Sequence, residues 1–125
     1  GGQMAPTTLP GQVTTSTSQG RDALLNGNPI HMAELLSSQE GPAYVVRTAV
    51  FDPASVIKTR KAILTAFKAQ QMGLGFSFVE VLSACPTNWG LAPIEANKWL
   101  QENMIPAYPL GEYRVHERLR ETKKS

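Results

Sequence analysis

One cysteine occurs in the 125 residues, and it stands in Ser83-Ala84-Cys85-Pro86-Thr87-Asn88-Trp89-Gly90, between an apolar run and a helix started by Pro93. A thiolate can attack a carbonyl, ligate a soft metal, or sit inert in a core. Small residues before Cys85 and a proline after it make a tight turn that fixes the direction of the sulfur. Its two histidine candidates, His31 and His116, have no spacing that marks a nucleophile's base. A zinc or iron-sulfur site needs about four ligands, and this chain offers one soft donor. Residue types alone leave the inert thiol and the ligand both open.

The second candidate is Gly1-Gly2-Gln3-Met4-Ala5-Pro6-Thr7-Thr8. Glycines let a backbone approach a phosphate closely, and the amide and hydroxyls add hydrogen bonds; a flexible remnant is the plainer reading. His31, Trp89 and Trp99 read as a helix-start surface residue, a loop anchor and a core aromatic. Glu80, in mid-strand, faces an edge or pairs with an arginine such as Arg47.

The elements that must position these residues follow from pattern. Residues 1–21 are rich in Gly, Pro, Thr, Ser and Gln and have neither helical nor strand period. A short helix is expected from about Pro29 to Ser38, and Ala43 to Val50 forms a mostly buried strand. Asp52 caps a helix with Pro53 in its first position; Val56, Ile57, Ile63, Leu64 and Phe67 share its apolar face, with Lys58, Lys61 and Lys68 opposite. Gly73 and Gly75 end it, and Phe76 to Leu82 is a second strand. This strand, helix and strand predict a right-handed parallel crossover with both carboxyl ends on one sheet edge, the edge from which the cysteine turn leaves. Strand ends of that kind gather ligands. The last helix runs from Pro93 to Met104-Ile105-Pro106, with Ala92 a poor N-cap. Beyond Pro109 the chain is charged, with Leu110, Tyr113, Val115 and Leu119 as its anchors, and reads as an extension that docks on a partner or stays mobile.

Composition narrows the class. A 42% hydrophobic content and 125 residues fit one modest globular unit. The net charge of +2 arises from Glu112 onward, where five basic residues face three acidic ones, so the body has no basic stripe for nucleic acid. A single cysteine excludes an internal disulfide and points to a reducing cytoplasm. No run nears the ~20 apolar residues that span a bilayer. The opening Gly1-Gly2-Gln3, without methionine, reads as a processed, tagged or excised start.

Together, Gly1-Gly2-Gln3-Met4-Ala5-Pro6-Thr7-Thr8 and the Cys85 motif resemble the β subunit of 2-oxoacid:ferredoxin oxidoreductases, of the 2-oxoglutarate or branched-chain type. The resemblance extends through Gly20-Arg21-Asp22, Phe76 to Val81 and Glu102-Asn103-Met104-Ile105-Pro106, as far as about Gly111. It implies an α/β fold, a partial open parallel sheet with flanking helices that forms the carboxyl half of a thiamine-diphosphate-binding domain. Residues 1–20 would be the cofactor-side loop, 21–111 the partial domain and 112–125 a charged extension. It further implies that Gly1, Gly2 and Gln3 complete the site for thiamine diphosphate and Mg2+, and that Cys85 is the last of four ligands to a [4Fe-4S] cluster. The remaining ligands, and the metal-binding Asp and Asn, lie upstream in such subunits. No catalytic acid or base is implied for this chain, because the activating Glu comes from the α subunit. The implied reaction is oxidative decarboxylation of a 2-oxoacid to an acyl-CoA, with electrons passing to ferredoxin in an assembly with the α and in some cases γ and δ subunits. Ala92, where Ser or Thr is expected before Pro93, departs from the pattern. A non-catalytic α/β fragment that completes another chain's fold is the alternative.

Overall fold

The computed structural model describes residues 5–121. Its centre is the expected crossover. Strand β1 (Tyr44–Ala49) is buried throughout, helix α3 (Pro53–Gln71) crosses over it, and β2 (Ser77–Leu82) returns parallel to β1. Two shorter helices precede them, α1 (Ala23–Asn26) and α2 (Met32–Ser37). Asp52 starts α3 as anticipated: its carboxylate accepts the Ser55 N–H at 2.7 Å, and the Ser55 hydroxyl accepts the Asp52 N–H at 3.0 Å. These two bonds satisfy donors that a helix start leaves free. Gly75, between α3 and β2, has φ +126°, and a Cβ there would meet the Gly41 carbonyl oxygen at 2.4 Å, so only glycine fits.

The packed face of α3 differs from expectation. Val56, Ile57, Ile63, Leu64 and Phe67 are all exposed. The helix rests on the sheet through Ser55, Thr59, Ala62 and Ala69, with Ala66 partly buried among them. Those five positions recur at steps of four and three, a continuous seam of small side chains at helical period. Small residues let the helix lie close to the strands, and Thr59 closes the gap by donating its hydroxyl to the Ala49 carbonyl at 3.0 Å. The seam, not the large apolar residues, fits the sheet.

The charged segment after Pro109 supplies a third strand. β3 (Gly111–Val115) pairs antiparallel with β1, giving the order β2-β1-β3, with an irregularity between Val45 and Val46. The open α/β sheet with flanking helices is therefore as expected, with one antiparallel member added to its parallel pair. Leu119, in helix α7 (Glu117–Glu121), is 1% exposed and joins the cluster of Tyr44, Val46, Ala62 and Ala69 beneath α3. Burial of these anchors is what draws a charged strand onto the sheet.

The other face of the sheet is covered by α2, which packs on all three strands, and at the carboxyl ends of β1 and β2 by the segment that holds α4 (Pro86–Trp89), α5 (Pro93–Trp99), a π-helical turn (Leu100–Met104) and α6 (Ile105–Ala107). Ala92 indeed offers no cap, and the Glu95 carboxylate accepts its N–H at 3.2 Å instead. Pro106 has no N–H to return to the preceding turn; the helix widens over Leu100–Met104 just before it and ends one residue after it, at Ala107. Leu100, Met104 and Tyr108 from this stretch bury against Ala49 and Leu82.

Arg47 lies at the centre of this face with no exposed side-chain surface. Its guanidinium donates to both oxygens of Glu34 at 2.8 and 2.6 Å, to Glu80 at 2.8 Å and to the Tyr113 hydroxyl at 2.7 Å. The Glu80 pairing is the one anticipated. It also lies over the rings of Tyr108 and Tyr113, at 5.2 and 5.1 Å. Burial opposes the charge on Arg47, but Glu34 and Glu80 outweigh it and hold the guanidinium firmly protonated. Arg47 in turn lowers the Glu34 carboxyl from 4.5 to about 2. A depressed carboxyl pKa stabilises the fold above the unfolded value near 4.5, and that contribution is lost as pH falls toward 2. Arg47→Ala, which strands two carboxylates, is expected to cost about 3–5 kcal/mol in urea unfolding. In Glu34→Gln, the fall in stability between pH 5 and pH 2 should be visibly shallower than in the parent.

Candidate functional site

The cysteine turn leaves β2 directly. After Leu82, two residues lead to Cys85, which stands in front of the single-turn α4 rather than before the Pro93 helix alone. Trp89 N–H donates to the Cys85 carbonyl at 3.0 Å, and Gly90, left-handed at φ +66°, ends the turn. The Cys85 sulfur is partly exposed and accepts a hydrogen bond from the Asn88 amide at 3.1 Å. In the same turn, Trp89 packs against the ring of Trp99 with centroids 5.0 Å apart. The thiol is therefore half-buried with a polar neighbour, not sealed in an apolar core.

The loop from Ala5 to Arg21 has no regular element, as composition implied, yet it is closely bonded. Residues 1–20 include no charged side chain, and the first one in the chain, Arg21, is 5% exposed. Its guanidinium donates to the carbonyls of Thr8 at 2.7 Å, Gly27 at 3.0 Å and Ala5 at 3.2 Å. A buried cation satisfied by backbone carbonyls fixes the loop through its main chain. Gln12 closes a turn on itself by accepting the Leu9 N–H at 2.8 Å. Tyr108 donates its hydroxyl to the Thr7 carbonyl at 3.2 Å, tying the loop to the sheet's covering helices.

The loop also reaches the cysteine turn. Thr15 N–H donates to the Asn88 carbonyl at 3.0 Å and its hydroxyl to the Asn88 side-chain oxygen at 3.2 Å. With that oxygen engaged, the Asn88 amide nitrogen is left to face the sulfur, so one residue connects both motifs. Between them lies a cavity of about 330 Å³ lined by Thr7, Thr8, Gln12, Glu80, Cys85 and Trp89. The carboxyl end of β2 thus opens onto the sulfur and the loop together.

Gly1, Gly2 and Gln3 lie outside the described residues; Ala5, also on the cavity wall, is two positions beyond Gln3. Neither histidine joins the site. His31 stacks on Tyr108 with centroids 4.7 Å apart, and His116 accepts the Arg118 N–H at 3.3 Å. Among the described residues no group of three His, Cys, Asp or Glu is placed to hold a metal. Cys85 fits one ligand position of an iron-sulfur cluster: its sulfur is accessible and already bonded to an amide donor, the contact that tunes such clusters. A four-thiolate set needs other cysteines, and this sequence has one. A larger groove of about 840 Å³ runs beside α3 and includes none of the candidate residues.

Pattern reading missed Arg21, Asn88, Thr15 and Tyr108 as organisers of the site. The one available signal was a lone charge following twenty uncharged residues, since a loop of that length needs a fixed point. No helix among the described residues is long and apolar enough to cross a membrane.

Comparison with known proteins gives a consistent picture. Over 114 residues, 91% of the chain, it is 43% identical to the ketoisovalerate oxidoreductase subunit VorA of Methanothermobacter marburgensis, and the match spans 24% of that protein. It is 35% identical over 103 residues to the 2-oxoglutarate synthase subunit KorB of Archaeoglobus fulgidus, covering 82% of the chain and 34% of the relative. The KorB subunit of Methanothermobacter marburgensis is 33% identical over 110 residues, 84% of the chain and 34% of the relative. The chain therefore spans about a quarter to a third of the curated relatives it matches. No family model matches, and no solved structure does. Ketoisovalerate and 2-oxoglutarate are both 2-oxoacids, so the resemblance carried by the two motifs is met by homologues named for that chemistry.

The loop's dependence on one side chain is directly testable. Arg21→Met should leave the sheet intact by circular dichroism while hydrogen exchange at the Gly11 and Gln12 amides rises about tenfold or more, as local opening becomes easier.

Proposed function

We propose that this chain, a homologue of one segment of 2-oxoacid oxidoreductase subunits, forms part of the β subunit of a 2-oxoacid:ferredoxin oxidoreductase. The observation that carries the proposal is the placement of the Cys85 sulfur and the loop following Gly1-Gly2-Gln3 on one cavity at the end of β2. In this reading Cys85 is one ligand of a [4Fe-4S] cluster. Gly1, Gly2 and Gln3 form one lip of a site for thiamine diphosphate and Mg2+. The whole assembly converts a 2-oxoacid and CoA to an acyl-CoA and CO2, giving two electrons to ferredoxin. Thiamine diphosphate would supply the chemistry for releasing CO2, and the cluster the one-electron steps. This chain's share is positional: Thr15 orients Asn88, Asn88 donates to the sulfur, and Trp89 walls the same cavity as Cys85. The α subunit, with γ and δ where present, completes the assembly in a reducing cytoplasm, and the isolated chain is inactive.

The test is anaerobic co-expression with the part of the Methanothermobacter marburgensis VorA relative that lies outside the match. Iron-sulfur absorbance and thiamine diphosphate binding should appear in the pair. Cys85→Ala should abolish the absorbance, whereas Asn88→Ala should retain the cluster and bind it about 10-fold more weakly. A Cys85→Ala protein with a full complement of cluster iron would remove the ligand role.

A further inference from the structure

The two edges of the sheet are of opposite character. β3 presents Glu112 and Arg114 along a five-residue strand, and its partner β1 is irregular between Val45 and Val46. Charges and irregularity are the devices that keep an edge from pairing. β2 has neither. It includes Phe78, Val79, Val81 and Leu82, its single charge Glu80 is turned inward to Arg47, and among the described residues it pairs with β1 alone.

The helix above repeats the asymmetry. Val56, Ile63 and Phe67 are 51%, 40% and 65% exposed, and their steps of seven and four put them in one line along α3. That line is on the flank opposite Lys58, Lys61 and Thr65, which wall the groove toward β3. It therefore looks toward the free side of β2, where Val81, on the α3 face of the sheet, is also 38% exposed. An apolar helix flank beside an unpaired strand is what an α/β layer presents where its next unit is missing.

We infer that the free edge of β2 and the Val56-Ile63-Phe67 flank of α3 form the surface on which the portion of the subunit outside this chain adds a parallel strand and a covering helix. This rests on the subunit reading above. Relatives of which the match spans 24% and 34% have ample further chain to supply both. Charge selects against a second copy as occupant. Lys58 and Lys61 wall the far flank, but Arg60, four residues after Val56, borders the apolar line, and α3 has no acidic residue. Edge-to-edge pairing of two copies would bring basic residues and no acid to the seam. The incoming helix accordingly has an acidic residue to meet Arg60 beside an apolar centre.

The experiment uses the full chain co-expressed with the unmatched part of the Methanothermobacter marburgensis VorA relative, in a Cys85→Ala background so that no cluster is needed. Co-elution is measured by affinity capture and size exclusion, and β2 amide exchange by mass spectrometry. The pair should co-elute and protect the β2 amides that β1 leaves free. Phe67→Glu with Val56→Glu should weaken association about tenfold or more, while Leu25→Glu, on the exposed surface of α1, should not. Both substituted positions on α3 are exposed, so circular dichroism of the variants should match the parent. A pair that forms equally well with the α3 variants, with β2 exchange unchanged, overturns the docking surface and leaves the subunit reading standing. Absence of any association overturns both. Self-association of the chain alone that is abolished by Phe67→Glu, or binding of anionic vesicles through the same residues, overturns the occupant.

Discussion

A guanidinium with no exposed surface cannot stand in a protein interior unless its charge and its donors are met, and Arg47 is where this fold meets that demand. Glu34 comes from α2, Glu80 from β2 and Tyr113 from β3, while the Pro109 carbonyl accepts at 3.3 Å from the connection to β3. One side chain on the central strand thus joins both neighbouring strands and a helix. Such a set contributes specificity as much as stability, because any displacement of β3 or α2 strands a charge where water cannot reach it. The same set adjoins the site. Glu80 walls the cavity beside Cys85, and the Tyr108 ring that lies under Arg47 also holds the Thr7 carbonyl.

The coupling between the two motifs has a similar economy. Some seventy residues separate Thr15 from Asn88 in sequence, and three polar groups of Asn88 are used at their meeting. Its carbonyl and side-chain oxygen accept from Thr15, and its amide donates to the sulfur. An asparagine with both ends of its amide engaged has little rotational freedom, so the direction of the donor to Cys85 is set by the loop.

Much of this was legible in the residues. Asp52-Pro53 announced the start of α3, Gly73 and Gly75 its end, the β-branched runs the parallel pair, and the position of Cys85 followed from the end of β2. Arg47 and Glu80 were legible as partners because mid-strand charges of opposite sign seldom remain apart. The burial of α3 was not, since apolar periodicity marks where large side chains fall and does not reveal that a seam of Ser, Thr and Ala fits the strands more closely. β3 escaped because its pairing is non-local and its composition polar; its anchors, Val115 and Leu119, were visible, but not the strand between them. The contacts of Arg21 were hidden for another reason. Its partners are main-chain carbonyls, which every residue has and no sequence pattern displays.

That last point bears on how this loop can change. Its outline is set in large part by a distant cation gripping peptide oxygens, with Gln12 and Thr17 the side chains that also bond its main chain. Thr7 and Thr8 belong to the turn that the Thr8 N–H closes on the Ala5 carbonyl at 3.1 Å, and their own carbonyls are engaged by Tyr108 and Arg21, so their part in the outline is played by the main chain. Both residues line the cavity beside Cys85, so exchanging a hydroxyl there for a methyl or a hydrogen would change the polarity of its wall while the main chain stayed in the grip of Arg21 and Tyr108.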